Sequence, residues 1–129
     1  MISVLHLDTH IVVWLASGQH KNIPPNLRAR LSREILRISP MVRLELSYLY
    51  EVGRIAKQPD AALAELSASM GLAMDDQPFD RVADIAARTT FTRDPFDRVI
   101  AAQAIAAGAP LATKDEHIRT ALPDVAIWD

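Results

Sequence analysis

Short apolar runs alternate with stretches of helical spacing along this chain, and that alternation leaves few folds open. Val4 to Leu7 is an apolar run closed by Asp8-Thr9. Ile35 to Ser39, Leu72 to Met74, Leu111 to Thr113 and Val125 to Ile127 are further short strand candidates. Between them fall helical segments: Ile11, Val12, Leu15 and Ala16 before Gly18, then Asn26 to Arg33 after the Pro24-Pro25 turn. Met41 to Ala56 follows with Pro40 as the first helical residue, then Ala61 to Met70 and Phe79 to Arg88. Asp94-Pro95 opens an alanine-rich helix that runs to Ala107 and is closed by Gly108, and Asp115 to Ala121 is the last. Strands separated by helices pair in parallel, because a parallel partner has to be reached by a crossover. The expected fold is α/β, a three-layer sandwich about a mainly parallel central sheet, with residues 1–129 as one domain.

Four acids take corresponding places in this pattern. Asp8 and Asp115 follow strands, Glu45 lies on the helix after the Ile35 strand, and Asp97 is in the first turn of the alanine-rich helix. In an open parallel sheet such positions gather in the crevice outside the carboxyl ends of the strands. Carboxylates crowded there repel one another unless a positive charge lies between them. Ligation by Asp and Glu oxygens alone suits Mg²⁺ or Mn²⁺, so the residues point to a metal-dependent phosphodiesterase. Each acid also has a plainer reading. Asp8, Asp94 and Asp115 are placed to cap helices, and Asp97 suits a helix first turn. Glu45 resists that reading, because positions 42, 45, 49, 52 and 56 share one helical face and the others are Val42, Leu49, Val52 and Ala56. An unpaired carboxylate on an apolar face is costly.

Composition narrows the classes further. Half of the 129 residues are hydrophobic and 23% are charged, a globular rather than disordered balance. With no cysteine, neither a disulfide framework nor a thiolate zinc site is possible. The run Ile2 to Leu7 is too short for a signal-peptide core, and no apolar stretch reaches the ~20 residues needed to span a bilayer. A cytoplasmic protein without membrane association is expected. A net charge of −2 argues against broad attachment to nucleic acid, yet Lys21, Arg28, Arg30, Arg33, Arg37, Arg43 and Arg54 could form a local basic rim. Solvated helix faces are the alternative for the same residues.

Several motifs then occur in fixed order: Leu7-Asp8-Thr9-His10 with Trp14, Ser39-Pro40 before Glu45, Arg93-Asp94-Pro95-Phe96-Asp97-Arg98 running into Ala101-Ala102-Gln103-Ala104, and Leu111-Ala112-Thr113-Lys114-Asp115. Together they resemble the PIN-domain family, in particular the ribonuclease toxins of VapC-type toxin–antitoxin systems. The Asp-Pro-Phe-Asp-Arg segment is the most specific of them. The resemblance implies a PIN-like fold and a divalent-metal-dependent endoribonuclease, with Asp8, Glu45, Asp97 and Asp115 as catalytic and metal-holding residues for Mg²⁺ or Mn²⁺. It implies hydrolysis of RNA by activated water, a cognate antitoxin that blocks the groove, and a homodimer. Thr113 corresponds to a hydroxyl bordering the site. Asp94 has a matching place but competes as a helix cap, and Glu51 sits on a mixed face.

Two neighbours stay open at this level. His10 is expected near substrate or simply on the surface, and Arg98 either contacts a phosphate or pairs with Asp94 four residues before it. The exposed dimer surface is assigned to Leu46, Tyr48, Leu49 and Tyr50. Other classes fit less well. A phospho-receiver needs paired acids after the first strand, where Asp8 is followed by Thr9, and an aspartyl phosphatase needs a second acid where His10 stands. A catalytically silent PIN-like module that binds RNA or protein remains the alternative.

Overall fold

The computed structural model describes residues 3–129; Ile2, counted in the N-terminal apolar run, lies outside them. Five strands form one sheet: β1 (Val4–Leu7), β2 (Ile35–Ile38), β3 (Ala73–Met74), β4 (Leu111–Ala112) and β5 (Ala126–Ile127). Their order is β3-β2-β1-β4-β5 and every pairing is parallel. The centre of the sheet is built by Val4 opposite Ile35, Leu5 opposite Leu36, and Leu7 opposite Ala112. Leu5, Leu7, Leu36, Ile38 and Leu111 are all buried, as continuous apolar strands covered on both faces must be.

The helices among the described residues are α1 (Thr9–Ala16), α2 (Pro25–Leu31), α3 (Pro40–Glu51), α4 (Pro59–Met70), α5 (Phe79–Arg88), α6 (Pro95–Ala107) and α7 (Glu116–Ala121). The chain winds outward through β1, β2 and β3, then returns across the sheet to β4 and β5. With right-handed crossovers that reversal distributes the helices over both faces. The α/β sandwich about a parallel sheet is therefore as expected, and the sheet is wholly parallel. The reversal falls between β1 and β4, so the end of β1 is the topological switch point.

Helix α6 is the innermost helix. Ile100 to Ala104 and Ala106 are buried, and its small side chains let α5 pack close through Val82 and Ala86. Asp94 caps it, accepting from the backbone N–H of Phe96 at 2.8 Å and of Asp97 at 3.4 Å. Gly108 ends it at φ +66, a left-handed conformation that a side chain would oppose.

One expected element is shorter in the structure. Helix α3 stops at Glu51 rather than reaching Ala56, because Gly53 turns the chain at φ +77. Val52 is 51% exposed and Ala56 lies beyond the helix, so neither extends the apolar face proposed around Glu45. Val42 and Leu46 form that face instead. Leu46 is buried, which removes it from the expected dimer surface, whereas Tyr48 and Tyr50 are exposed. No helix among the described residues is long and apolar enough to cross a membrane.

Candidate active site

Four of the five strands hand the chain to a polar residue at the same edge of the sheet. Asp8 follows β1, Ser39 follows β2, Asp75 follows β3 and Thr113 follows β4. Asp8 is only 5% exposed, with its carboxylate fixed by two donors. The backbone N–H of Thr9 reaches Oδ1 at 2.8 Å, and the Thr113 hydroxyl reaches Oδ2 at 2.6 Å. The helix-capping role and the site role of Asp8 thus coexist, since the same side chain opens α1 and faces the crevice. Burial raises the Asp8 pKa above the ordinary carboxylate value, and these hydrogen bonds pull partly against it.

Glu45 arrives from α3 and is held by the buried Thr9, whose hydroxyl donates to Oε1. Its pKa is also raised, first by desolvation, then by the negative charges of Asp8 and Asp94. Asp97, at the start of α6, is pushed up to about 7. Burial is the largest cause, followed by repulsion from Asp94, Asp8, Asp115 and Glu45. Coulomb repulsion of this kind fades over a few ångströms to about ten, so these four carboxylates lie near Asp97. Asp115 caps α7 by accepting from the Ile118 N–H at 3.0 Å, and its own N–H donates to Thr113 Oγ1. Folding therefore brings Asp8, Glu45, Asp94, Asp97 and Asp115 to one edge.

The acids crowd, but they do not close into a ready cage. Among the described residues no three His, Asp or Glu side chains are arranged to enclose one ion directly. Asp8 and Glu45 spend oxygens on Thr9 and Thr113. A divalent cation held partly through water fits this donor set, for which a Mg²⁺ site with one or two direct carboxylates is ordinary. Burial and repulsion together raise Asp97 to about 7, and the repulsive part is what such a cation would relieve.

Residues 5–121 match the PIN domain model, a span containing all five acids. The chain belongs to the PIN domain family. Similar solved structures include VapBC2 from Rickettsia felis bound to a DNA fragment from its promoter, at 21% identity over 98% of this chain and 99% of that one, with a TM-score of 0.69. VapBC-1 from nontypeable Haemophilus influenzae is similar at 16% identity over 95% of each chain, with a TM-score of 0.58. These likenesses show the shared fold. No curated protein sequence matches.

The expected accessory residues fare unevenly in this PIN domain. Thr113 is fully buried and bonded to Asp8, so it positions that acid and is closed to substrate. Arg98 neither pairs with Asp94 nor faces the crevice. Its guanidinium donates to the carbonyls of Ala86 and Ala87 at 3.0 Å and closes the end of α5. His10 is exposed and borders the clefts on either side of the acids. The expected basic rim holds in part: Arg54 lies beside the acids, whereas Arg30 is paired with Glu34 and Arg43 with Asp60. The cations beside the acids are Lys114 and Arg119 on one side and Arg54 and Arg93 on the other.

Thr9 and Asp75 were not legible as site residues. Thr9 bridges two acids only because α3 packs across the start of α1. Asp75 accepts from Gln103 and lies 3.6 Å from the buried His6. Its place after a strand, like that of Asp8, was the available signal.

Proposed function

We propose that this PIN domain is a divalent-metal-dependent endoribonuclease of the VapC type, hydrolysing RNA phosphodiester bonds with activated water. PIN domains are generally nucleases, and the carboxyl of Asp97, raised by burial and by four neighbouring acids, carries the reading. Asp8, Glu45, Asp97 and Asp115 would hold Mg²⁺ or Mn²⁺. When bound, the cation supplies Lewis acidity for activating water and neutralises charge on the phosphodiester. Thr9 and Thr113 keep Glu45 and Asp8 pointed into the crevice.

The solved VapBC neighbours support a cognate antitoxin as partner. Such a segment would block the crevice, with a basic side chain among the acids. The cleft between α1 and the α3–α4 turn, lined by Val12, Val13, Leu46, Ile55 and Ala62, suits its apolar residues. A homodimer is proposed through Leu44 and Phe79, 55% and 72% exposed along one shallow cleft. A monomer in sedimentation at high concentration would remove the dimer.

A second reading, an RNA- or protein-binding PIN domain that does not cut, is favoured by the lack of a closed carboxylate cage among the described residues. One experiment separates the two. Purified protein is incubated with a mixed RNA pool in Mn²⁺, in Mg²⁺ and in EDTA, beside the Asp8→Asn and Asp97→Asn variants. Cleavage that needs the metal and falls at least 100-fold in both variants is expected. Intact RNA throughout leaves the binding module.

A further inference from the structure

We propose that the clefts on either side of the acids form one continuous track for single-stranded RNA, with a base stacked at each end and phosphates held between. This rests on RNA being the ligand of the site. The first cleft runs between α1 and the start of α7, with Asp8 and Asp115 at its inner end. Trp14 forms its wall, backed by Trp128 at a centroid distance of 6.0 Å, and Lys114 Nζ stands 5.8 Å from the Trp14 ring centre. The second cleft runs between α3 and the start of α6, with Glu45 and Asp94 at its inner end. There Tyr48 is 50% exposed and its ring lies 6.0 Å from that of Phe96. His10 lines both clefts, so they meet beside the acids.

The two arms repeat one chemistry. Each offers an aromatic face and two cations, Lys114 and Arg119 in one, Arg54 and Arg93 in the other. Among the described residues none of these four side chains makes a salt bridge or a side-chain hydrogen bond. Among the described residues the four cations stand beside five acids without forming a salt bridge to any of them. They are complementary to a polyanion that has to approach the acids from both sides. Alternating aromatic and cationic groups match the base-and-phosphate repeat, and only unpaired bases expose their faces for stacking. The symmetry of the two arms about the acids places the scissile phosphate at the centre of the bound segment.

The test measures binding of a fluorescein-labelled, mixed-sequence 12-nucleotide RNA by anisotropy in EDTA, where cleavage is suppressed. Trp14→Ala and Tyr48→Ala are each expected to weaken binding about tenfold, in line with the loss of one stacked base. Trp14→Phe and Tyr48→Phe should retain most of the affinity, which separates stacking from a folding defect. Lys114→Ala and Arg93→Ala should each lower the salt slope of binding by about one, while the remote Arg43→Ala leaves it unchanged. The same sequence annealed as a duplex should bind more weakly than the single strand. Wild-type affinity in both alanine variants, an unchanged salt slope, or preference for the duplex would overturn the track. So would protection of Trp14 and Tyr48 by a protein partner in a chain that binds no RNA. RNA held through these residues but never cut would leave the track standing and remove the nuclease; cutting with normal binding in the variants would do the reverse.

Discussion

At the residue scale the site is organised by two hydroxyls. Thr113 gives Asp8 a donor where water is excluded, so Thr113→Val leaves a buried carboxylate oxygen unsatisfied. A loss of about 1–3 kcal/mol in chemical denaturation is expected, with metal affinity falling as Asp8 loses its orientation. An unchanged midpoint would show that Asp8 has another donor. Asp97 has the opposite problem, burial among like charges. Its folded pKa of about 7 lies above the ordinary value of 3.8, so the folded state holds its proton more tightly than the unfolded state. The resulting penalty is absent at low pH, grows as pH rises from about 4 to 7, and is complete above that. Asp8 and Glu45 shift in the same direction. Metal-free protein is therefore expected to melt higher at pH 6 than at pH 8. Asp97→Asn should remove much of that difference and stabilise the metal-free chain at pH 8 by about 1 kcal/mol after solvent screening. A flat profile between those pH values would contradict the crowding.

At the element scale the caps do double duty, and they explain what could and could not be read from sequence. Asp8, Asp94 and Asp115 cap α1, α6 and α7, and capping is visible in sequence because Asp before a helical run has few other uses. That the same carboxylates share one edge followed from the strand-helix alternation. The two roles of Asp94 can be separated. Asp94→Asn keeps a good cap while removing a charge, so it should leave stability intact and lower the Asp97 pKa. Asp94→Ala should cost about 1 kcal/mol. Equal melting temperatures for the two variants would show that the cap contributes little. The end of α3 was misread because a helical apolar period continued through Val52 and Ala56, and only the φ of Gly53 broke it. Arg98 was misread for a related reason. Spacing offered Asp94, whereas the packing of α5 against α6 offered two carbonyls instead.

At the scale of the whole molecule, strand order decides the site. Parallel pairing in the order β3-β2-β1-β4-β5 puts the carboxyl ends of all five strands at one edge, with the reversal beside Asp8. Alternating period along the chain announces such a sheet, but strand order is not written in any single segment. Lys114, Arg119 and Arg93 come from separate parts of the chain, and so do Trp14 and Tyr48, which is why Arg54 alone of the cations beside the acids was legible before the fold. A cation at this edge should stabilise the whole molecule by binding only the folded state, more at pH 8 than at pH 6. The most direct measurement is calorimetric titration of Mn²⁺ into the wild-type chain and Asp97→Asn at both pH values. Saturable binding is predicted, with proton release larger at pH 6 than at pH 8 and severe weakening in the variant. Absence of Mn²⁺ binding, or equal binding by the variant, would contradict the claim that these acids are assembled to hold a divalent ion.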